Sequence, residues 1–186
     1  MARIKGVVLN AWIQFLKARY GQARVASSIQ NLDQAQQRQL AAILDSSWYP
    51  WESQQSLAKL TRVLATEADR NISYELGRFM ADYAFDKVYK GLLSKESDKL
   101  ARNLWLEDFL FEGVRKAKNE MVSASSYRLQ YCYEPDMKPT QGMCVSTIGF
   151  CVRQAELAGV VKARVIHPED KCAAFGQNCC EIVIEW

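Results

Sequence analysis

The hydrophobic period of this chain changes once, near residue 118, and that single change limits the architectures open to it. Before it, apolar residues recur every three or four positions, as on a helix face. After it, they alternate, as on a strand. Val8, Trp12, Phe15 and Arg19, flanked by Ala11 and Leu16, mark a first helix that Gly21 stops. Asp33 predicts the cap of a second helix running through Leu44, and Pro50 suits the first turn of a third, whose apolar stripe is Leu57, Leu60, Val63 and Leu64. A further helix turns Ile72, Leu76, Phe79, Met80, Tyr83 and Val88 inward and ends at Gly91. Ser94 caps a short helix that carries Leu100.

The second half reads differently. Tyr127, Leu129, Tyr131 and Tyr133 share one strand face, with Arg128, Gln130, Cys132 and Glu134 on the other, and Pro135 and Pro139 bound a loop. A helix is predicted from about Gly142 to Leu157, with Cys144, Ile148, Cys151 and Ala155 on one face and Gly159 as its stop. Two last strands follow near 160–166 and 179–186. Helices followed by strands, rather than the two in alternation, predict an α+β fold. A helical N-terminal half packs on a small antiparallel sheet crossed by one helix. We expect one ligand-binding domain over 1–186, with a helical subdomain at 1–115, an α/β subdomain at 116–186, and a pocket between them.

Composition matters here for what it excludes. At 186 residues, 49% hydrophobic and 24% charged, the chain has ample material for a core, so disorder is not expected. Its net charge of +3 is a small remainder of 24 basic against 21 acidic residues, without a basic block interleaved with aromatics, so no nucleic-acid partner is expected. No apolar run approaches membrane-spanning length, and the N-terminal stretch, broken by Asn10 and Gln14, does not read as a secretory signal. Six cysteines in that setting point to reduced thiols or metal ligands rather than disulfides, and to the cytoplasm.

Three of those cysteines carry the sharpest chemical signal. Cys172, Gly176 and Cys180 form a C-x3-G-x3-C turn that runs into the alternating strand Cys180 to Trp186. Cys144 lies at the head of an apolar helix, from which a third sulfur can converge on the other two. Thiolates gathered in this way bind zinc tetrahedrally, with either His167 or Glu169 as the fourth ligand. Strand parity sends Cys180 to the face of Ile182, Ile184 and Trp186, and Cys179 to the opposite face with Glu181. A metal clip, a thiol switch and a set of small buried thiols all remain open, whereas Cys132 and Cys151 read as buried thiols only.

Other chemistry is scarce in the sequence. A single histidine gives no basis for a Ser-His-Asp arrangement, and neither a P-loop nor a G-x-G-x-x-G turn is present. The carboxylate pairs Glu67/Asp69 and Glu107/Asp108 read as solvated helix surface. The many aromatics either fill the core or line a cavity for a flat, greasy ligand; Phe79, Tyr83, Trp105, Tyr131 and Tyr133 are the candidate pocket residues.

With these elements in place, the chain resembles the superfamily that joins haem NO/oxygen-binding (H-NOX) sensors, vinyl-reductase-type ligand-binding domains and the Bet3-like subunits of vesicle-tethering complexes. The likeness spans nearly the whole chain. Lys5 to Asn10, continuing to Tyr20-Gly21, is similar to the H-NOX start, and Cys144, Cys172, Gly176 and Cys180 match the vinyl-reductase-type pattern, with Glu169 at its common acidic position. The resemblance implies a zinc ion on the cysteines and a neighbouring pocket for a hydrophobic or aromatic effector.

Two departures from H-NOX stand out. Trp105 falls where the resemblance implies the proximal histidine, and tryptophan offers iron no lone pair. The Tyr-x-Ser-x-Arg clamp falls on Tyr131, Tyr133 and Pro135, which removes its guanidinium. The expected protein is therefore a non-enzymatic small-molecule sensor or carrier with structural zinc on Cys144, Cys172, Cys180 and His167. It is expected to lack haem and to work with a homodimer mate or a signalling partner. The alternatives are an enzyme or accessory factor in tetrapyrrole vinyl reduction, a Bet3-like assembly subunit, and a gas sensor with non-standard haem ligation.

Overall fold

Helix α1 (Gly6–Tyr20) continues directly from a three-residue strand, β1 (Arg3–Lys5), so the chain enters its core at once: Ile4, Val7, Leu9 and Leu16 are buried. A computed structural model describes residues 1–87, 110–137, 139–160 and 162–186. Gly21 ends α1 as expected, at a φ of 86°. Helices α2 (Gln22–Gln30) and α3 (Gln34–Ala41) follow, the latter capped by the Asp33 carboxylate accepting from the Gln36 amide at 2.8 Å.

Strand β2 (Trp48–Pro50) then pairs with β1, before α4 (Glu52–Leu64) and α5 (Ile72–Lys87). Strand β3 (Phe111–Glu112) pairs with the other edge of β1 to complete a three-stranded sheet. The second sheet has the order β4-β5-β7-β6, all antiparallel, from β4 (Arg115–Ser123), β5 (Ser126–Tyr133), β6 (Arg164–Ile166) and β7 (Cys179–Glu185). Helix α6 (Gln141–Leu157) crosses it, capped by the Thr140 hydroxyl. The architecture is α+β, as the change of period predicts.

The described residues bury three apolar clusters, two of them large. Leu129, Tyr131, Ile182 and Ile184 meet Cys151 and Ala155 of α6 beneath the second sheet, and Leu9, Leu16, Leu57, Leu60 and Leu64 pack among the helices. Each of these leucines and isoleucines contributes about 1.5–3 kcal/mol by leaving water. The helix α5 packs closely on α6, because Gly77 abuts the Ser146 carbonyl and Gly149 abuts the Tyr74 carbonyl, with no room for a Cβ at either glycine. Around this contact Arg78 forms a two-pronged pair with Glu156 at 2.7 and 2.9 Å. Arg153 joins Asp82 and Glu156 at 2.7 and 2.8 Å.

Several local expectations are corrected. The helix capped by Asp33 stops at Ala41, and Pro50 belongs to β2 rather than to a helix, since β1 draws that segment into a sheet. Val63 points to solvent, on the opposite side of α4 from Leu57, Leu60 and Leu64. Asp69 is buried, not solvated: its carboxylate accepts from the Thr66 amide and hydroxyl and from Arg19. The C-x3-G-x3-C segment before β7 is no simple turn, because two 3-10 turns, Glu169–Lys171 and Ala173–Phe175, flank Cys172. Val88, Gly91, Ser94, Leu100, Trp105 and the Glu107/Asp108 pair lie outside the described residues.

The largest correction concerns Cys132. It is joined to Cys179 in a disulfide across the β5–β7 ladder, where the two are paired in register, so the six cysteines are not all reduced. Both side chains lie on the outer face of the second sheet, away from α6. The four remaining cysteines are buried and lie outside the disulfide.

A candidate metal group and a ligand cleft

Three elements bring Cys144, Cys172, Cys180 and His167 together. The first turn of α6 supplies Cys144, β7 supplies Cys180, and the loop after β6 supplies His167 and Cys172. Gly176 makes the return possible: at φ 98° it closes the second 3-10 turn in a left-handed conformation that side chains with a Cβ rarely adopt. The ligand atoms of the four residues all lie within 4.8 Å of one another.

The three sulfurs form a nearly equilateral triangle, with separations of 3.6 Å for Cys144–Cys172, 3.7 Å for Cys144–Cys180 and 3.8 Å for Cys172–Cys180. Thiolates held tetrahedrally at a zinc–sulfur distance near 2.3 Å stand about 3.8 Å apart, so the triangle has the size this geometry needs. The Cys180 thiol is drawn down to about 4, first by its hydrogen bond with Cys144 and against the effect of burial, while the Cys144 thiol is pushed up in turn. The Ala173 amide adds a donor to Cys180 at 3.3 Å. The arrangement therefore favours negative charge on one sulfur, that of Cys180.

His167 completes the group. Its Nδ1–H donates to the Glu181 carbonyl at 2.6 Å, which turns the buried Nε2 toward the sulfurs of Cys180 and Cys172. A metal-bound imidazole usually has this arrangement, with one nitrogen anchored to a carbonyl and the other presenting its lone pair. Glu169, the other candidate, is exposed in the first 3-10 turn and is not part of the cluster.

A cleft of about 790 Å³ opens between the helical half and the second sheet, within the range of ligand sites. Its wall is formed by Val8 and Trp12 of α1, Gln54 and Thr61 of α4, Leu76 and Met80 of α5, and Met143, Ser146 and Thr147 of α6. Phe111, Val114, Arg115, Tyr133 and Met137 also line it. A hollow of about 60 Å³ adjoins it and shares Val8, Met80, Phe111, Arg115, Ser146 and Thr147.

The sequence-predicted pocket aromatics are divided by the structure. Tyr133 lines the cleft, and Tyr131 is buried beneath it at the sheet. Phe79 stacks on Tyr83 and meets Phe15 edge-on in the helical half, and neither Phe79 nor Tyr83 is among the described lining residues. Trp105 is outside the described residues.

Sequence reasoning missed Arg115. The β4–β5 register sets it opposite Tyr133, and its guanidinium lies 3.9 Å from the centre of the Tyr131 ring, 4.6 Å from that of Phe111 and 6.0 Å from that of Tyr133. Its Nη1 donates to the Tyr133 hydroxyl at 3.3 Å. Burial in turn keeps the Tyr133 phenol protonated by raising it, in opposition to Arg115. The available signal was parity: Arg115 alternates with Ala117 and Asn119 on the less exposed face of β4.

No protein-family model matches the chain, and no curated protein matches it. Solved structures do. An Fe(II) unliganded H-NOX protein from K. algicida superposes with a TM-score of 0.67 at 15% identity, covering 98% of this chain and 96% of that one. An H-NOX protein from S. oneidensis in the Fe(II)NO state gives 0.67 at 13%, with 98% of each chain covered. The H-NOX domain from Shewanella oneidensis in the Fe(II)CO state gives 0.68 at 15%, again with 98% of each chain covered. The chain thus has an H-NOX-like fold.

Proposed function

We propose, from this H-NOX-like fold as premise, that the chain is a haem-independent small-molecule sensor or carrier domain. In this reading the cleft takes a hydrophobic or aromatic ligand, and Cys144, His167, Cys172 and Cys180 hold a structural zinc ion. The observation that carries the reading is the location of the one histidine in the sequence. It sits with three cysteines at the second sheet and does not line the cleft.

The matched H-NOX structures are described with Fe(II), in two cases carrying NO or CO. A histidine-ligated haem does not fit the donors described here, because no imidazole and no thiol lines the cleft among the described residues. The thioethers of Met80, Met137 and Met143 and the phenol of Tyr133 do line it. Haem held by one of these is the alternative that the experiment must separate.

Zinc is supported by the sulfur triangle and by the anchored tautomer of His167. A structural ion there would tie α6 to the second sheet and brace one side of the cleft. Binding of a ligand would then be passed to a homodimer mate or a signalling protein as a shift between conformations of differing affinity. No residue is assigned a catalytic role.

The test is the protein isolated from haem-fed cells, examined by absorbance and elemental analysis. We expect no Soret band and about one zinc per chain. A Soret band with stoichiometric iron overturns the haem-independent reading, and native protein free of zinc overturns the metal assignment.

A further inference from the structure

We infer that two copies of this chain pair edge to edge through β4, antiparallel about a two-fold axis at Asn119, so that their second sheets join into one. This rests on the homodimer mate of the reading above and adds the surface that holds it. It uses nothing from the cleft or the cysteine group.

At Arg115–Ser123, β4 is the longest strand of the second sheet and stands at its edge, whereas the opposite edge, β6, spans only Arg164–Ile166 and is a short template. The Glu134 amide donates to the Val114 carbonyl, which turns the backbone groups of Val114 toward β5 and, by the two-residue period, those of Lys116, Lys118 and Glu120 as well. The N–H and C=O groups of Ala117, Asn119 and Met121 therefore face the open edge, where no described strand meets them. Met121 is also an exposed, large apolar side chain. The register shift after Met121 ends the regular stretch.

Charge selects how two such edges meet. Lys116, Lys118 and Glu120 are exposed on the outer face of β4. With Asn119 on the axis, Lys118 stands opposite the partner's Glu120, and symmetry makes this pair twice. Moving the axis by one residue, to Lys118 or to Glu120, sets like charges against each other instead. Lysines on an edge strand discourage pairing in most registers, and here they leave one open. Lys118 makes no ion pair among the described residues, and the exposed Glu120 engages Arg128 through Oε2 at 3.1 Å, which leaves its Oε1 for a second cation. In the same register Met121 lies against the partner's Ala117 on the inner face, where Ala117 borders the apolar core. The ladder is short, so the dimer is a weak one.

The experiment is sedimentation velocity on the full chain. We expect a monomer–dimer equilibrium across roughly 1–100 μM protein. Lys118→Glu, which creates two like-charge pairs, should raise the dimer dissociation constant about tenfold, and Glu120→Lys should do the same. Both reversals in one chain should restore the wild-type constant, and an equal mixture of the two single variants should form a heterodimer. Circular dichroism will check that each variant is folded, and either single reversal suffices if the other misfolds. A wild type that stays monomeric overturns the inference, and so does a dimer insensitive to the reversals, which must use another surface. Single reversals that disrupt without rescue by the double one overturn the Asn119 register. None of these results alters the zinc content or the absorbance by which the reading above stands or falls.

Discussion

Cys179 and Cys180 are neighbours in the chain whose sulfurs serve opposite faces of β7: Cys179 is bonded to Cys132 on the outer face, and Cys180 meets Cys144 and Cys172 on the inner one. A strand's two-residue period makes this possible without any distortion. The outer link and the inner group can therefore be removed separately.

Removing the outer link, by Cys132→Ser with Cys179→Ser, deletes a closure across 47 residues. In the chain-entropy account such a closure is worth up to about 4 kcal/mol. Urea denaturation should show the loss, and elemental analysis should show zinc retained, because neither substitution touches the inner face. Loss of zinc in this variant would contradict the separation.

Removing an inner sulfur should do the reverse. Cys180→Ser leaves the disulfide intact, and we expect it to abolish zinc retention and to lower the melting temperature by several degrees. His167→Gln should weaken retention less, since three sulfurs remain. A strong chelator added to the wild type should reproduce the Cys180→Ser melting curve.

The α5–α6 contact gives a packing prediction. Gly77→Val sets a branched side chain against the Ser146 carbonyl, where even a Cβ has no room, so the helices must separate. Overpacking of this kind costs about 1–3 kcal/mol, and thermal unfolding should report it. The same substitution at Gly149, against the Tyr74 carbonyl, should behave alike.

Acid stability should depend on Glu156. Its carboxyl is held below the ordinary range, first by Arg78, against burial, and then by Arg153. A depressed carboxyl pKa contributes stability that is fully present above its unfolded value, near 4.3, and is lost as pH falls through the lower folded value. The melting temperature of Glu156→Gln should therefore lie below that of the wild type at pH 6, and the difference should narrow as pH falls below about 4. A constant difference across that range would show that Glu156 acts through packing instead.

What the sequence revealed and what it hid follow from the range of the forces involved. The change of period, the inward parity of Tyr127, Leu129 and Tyr131, and the stop at Gly21 are local patterns, and the structure keeps all of them. The parity of Cys132 and of Cys179 was equally legible, each on the outer face of its strand. Their pairing was not, because it depends on the register between β5 and β7, which no local pattern sets. The same holds for Arg115, whose place against Tyr133 is a matter of β4–β5 register. The strands β1, β2 and β3 escaped notice because three, three and two residues carry almost no period. The convergence of His167 on the cysteines depended on the loop after β6, where Glu169 was the alternative ligand and lies exposed in the first 3-10 turn.

Tyr131 has an awkward consequence for anyone measuring these two places. Its ring lies beneath the Arg115 guanidinium, while its backbone stands opposite Cys180 on the β5–β7 ladder and its side chain shares the core of the cysteine group. It is a party wall. A substitution there will disturb the cleft and ion retention together, so cleft binding and ion retention are independent readouts for variants of Cys180 but not for variants of Tyr131.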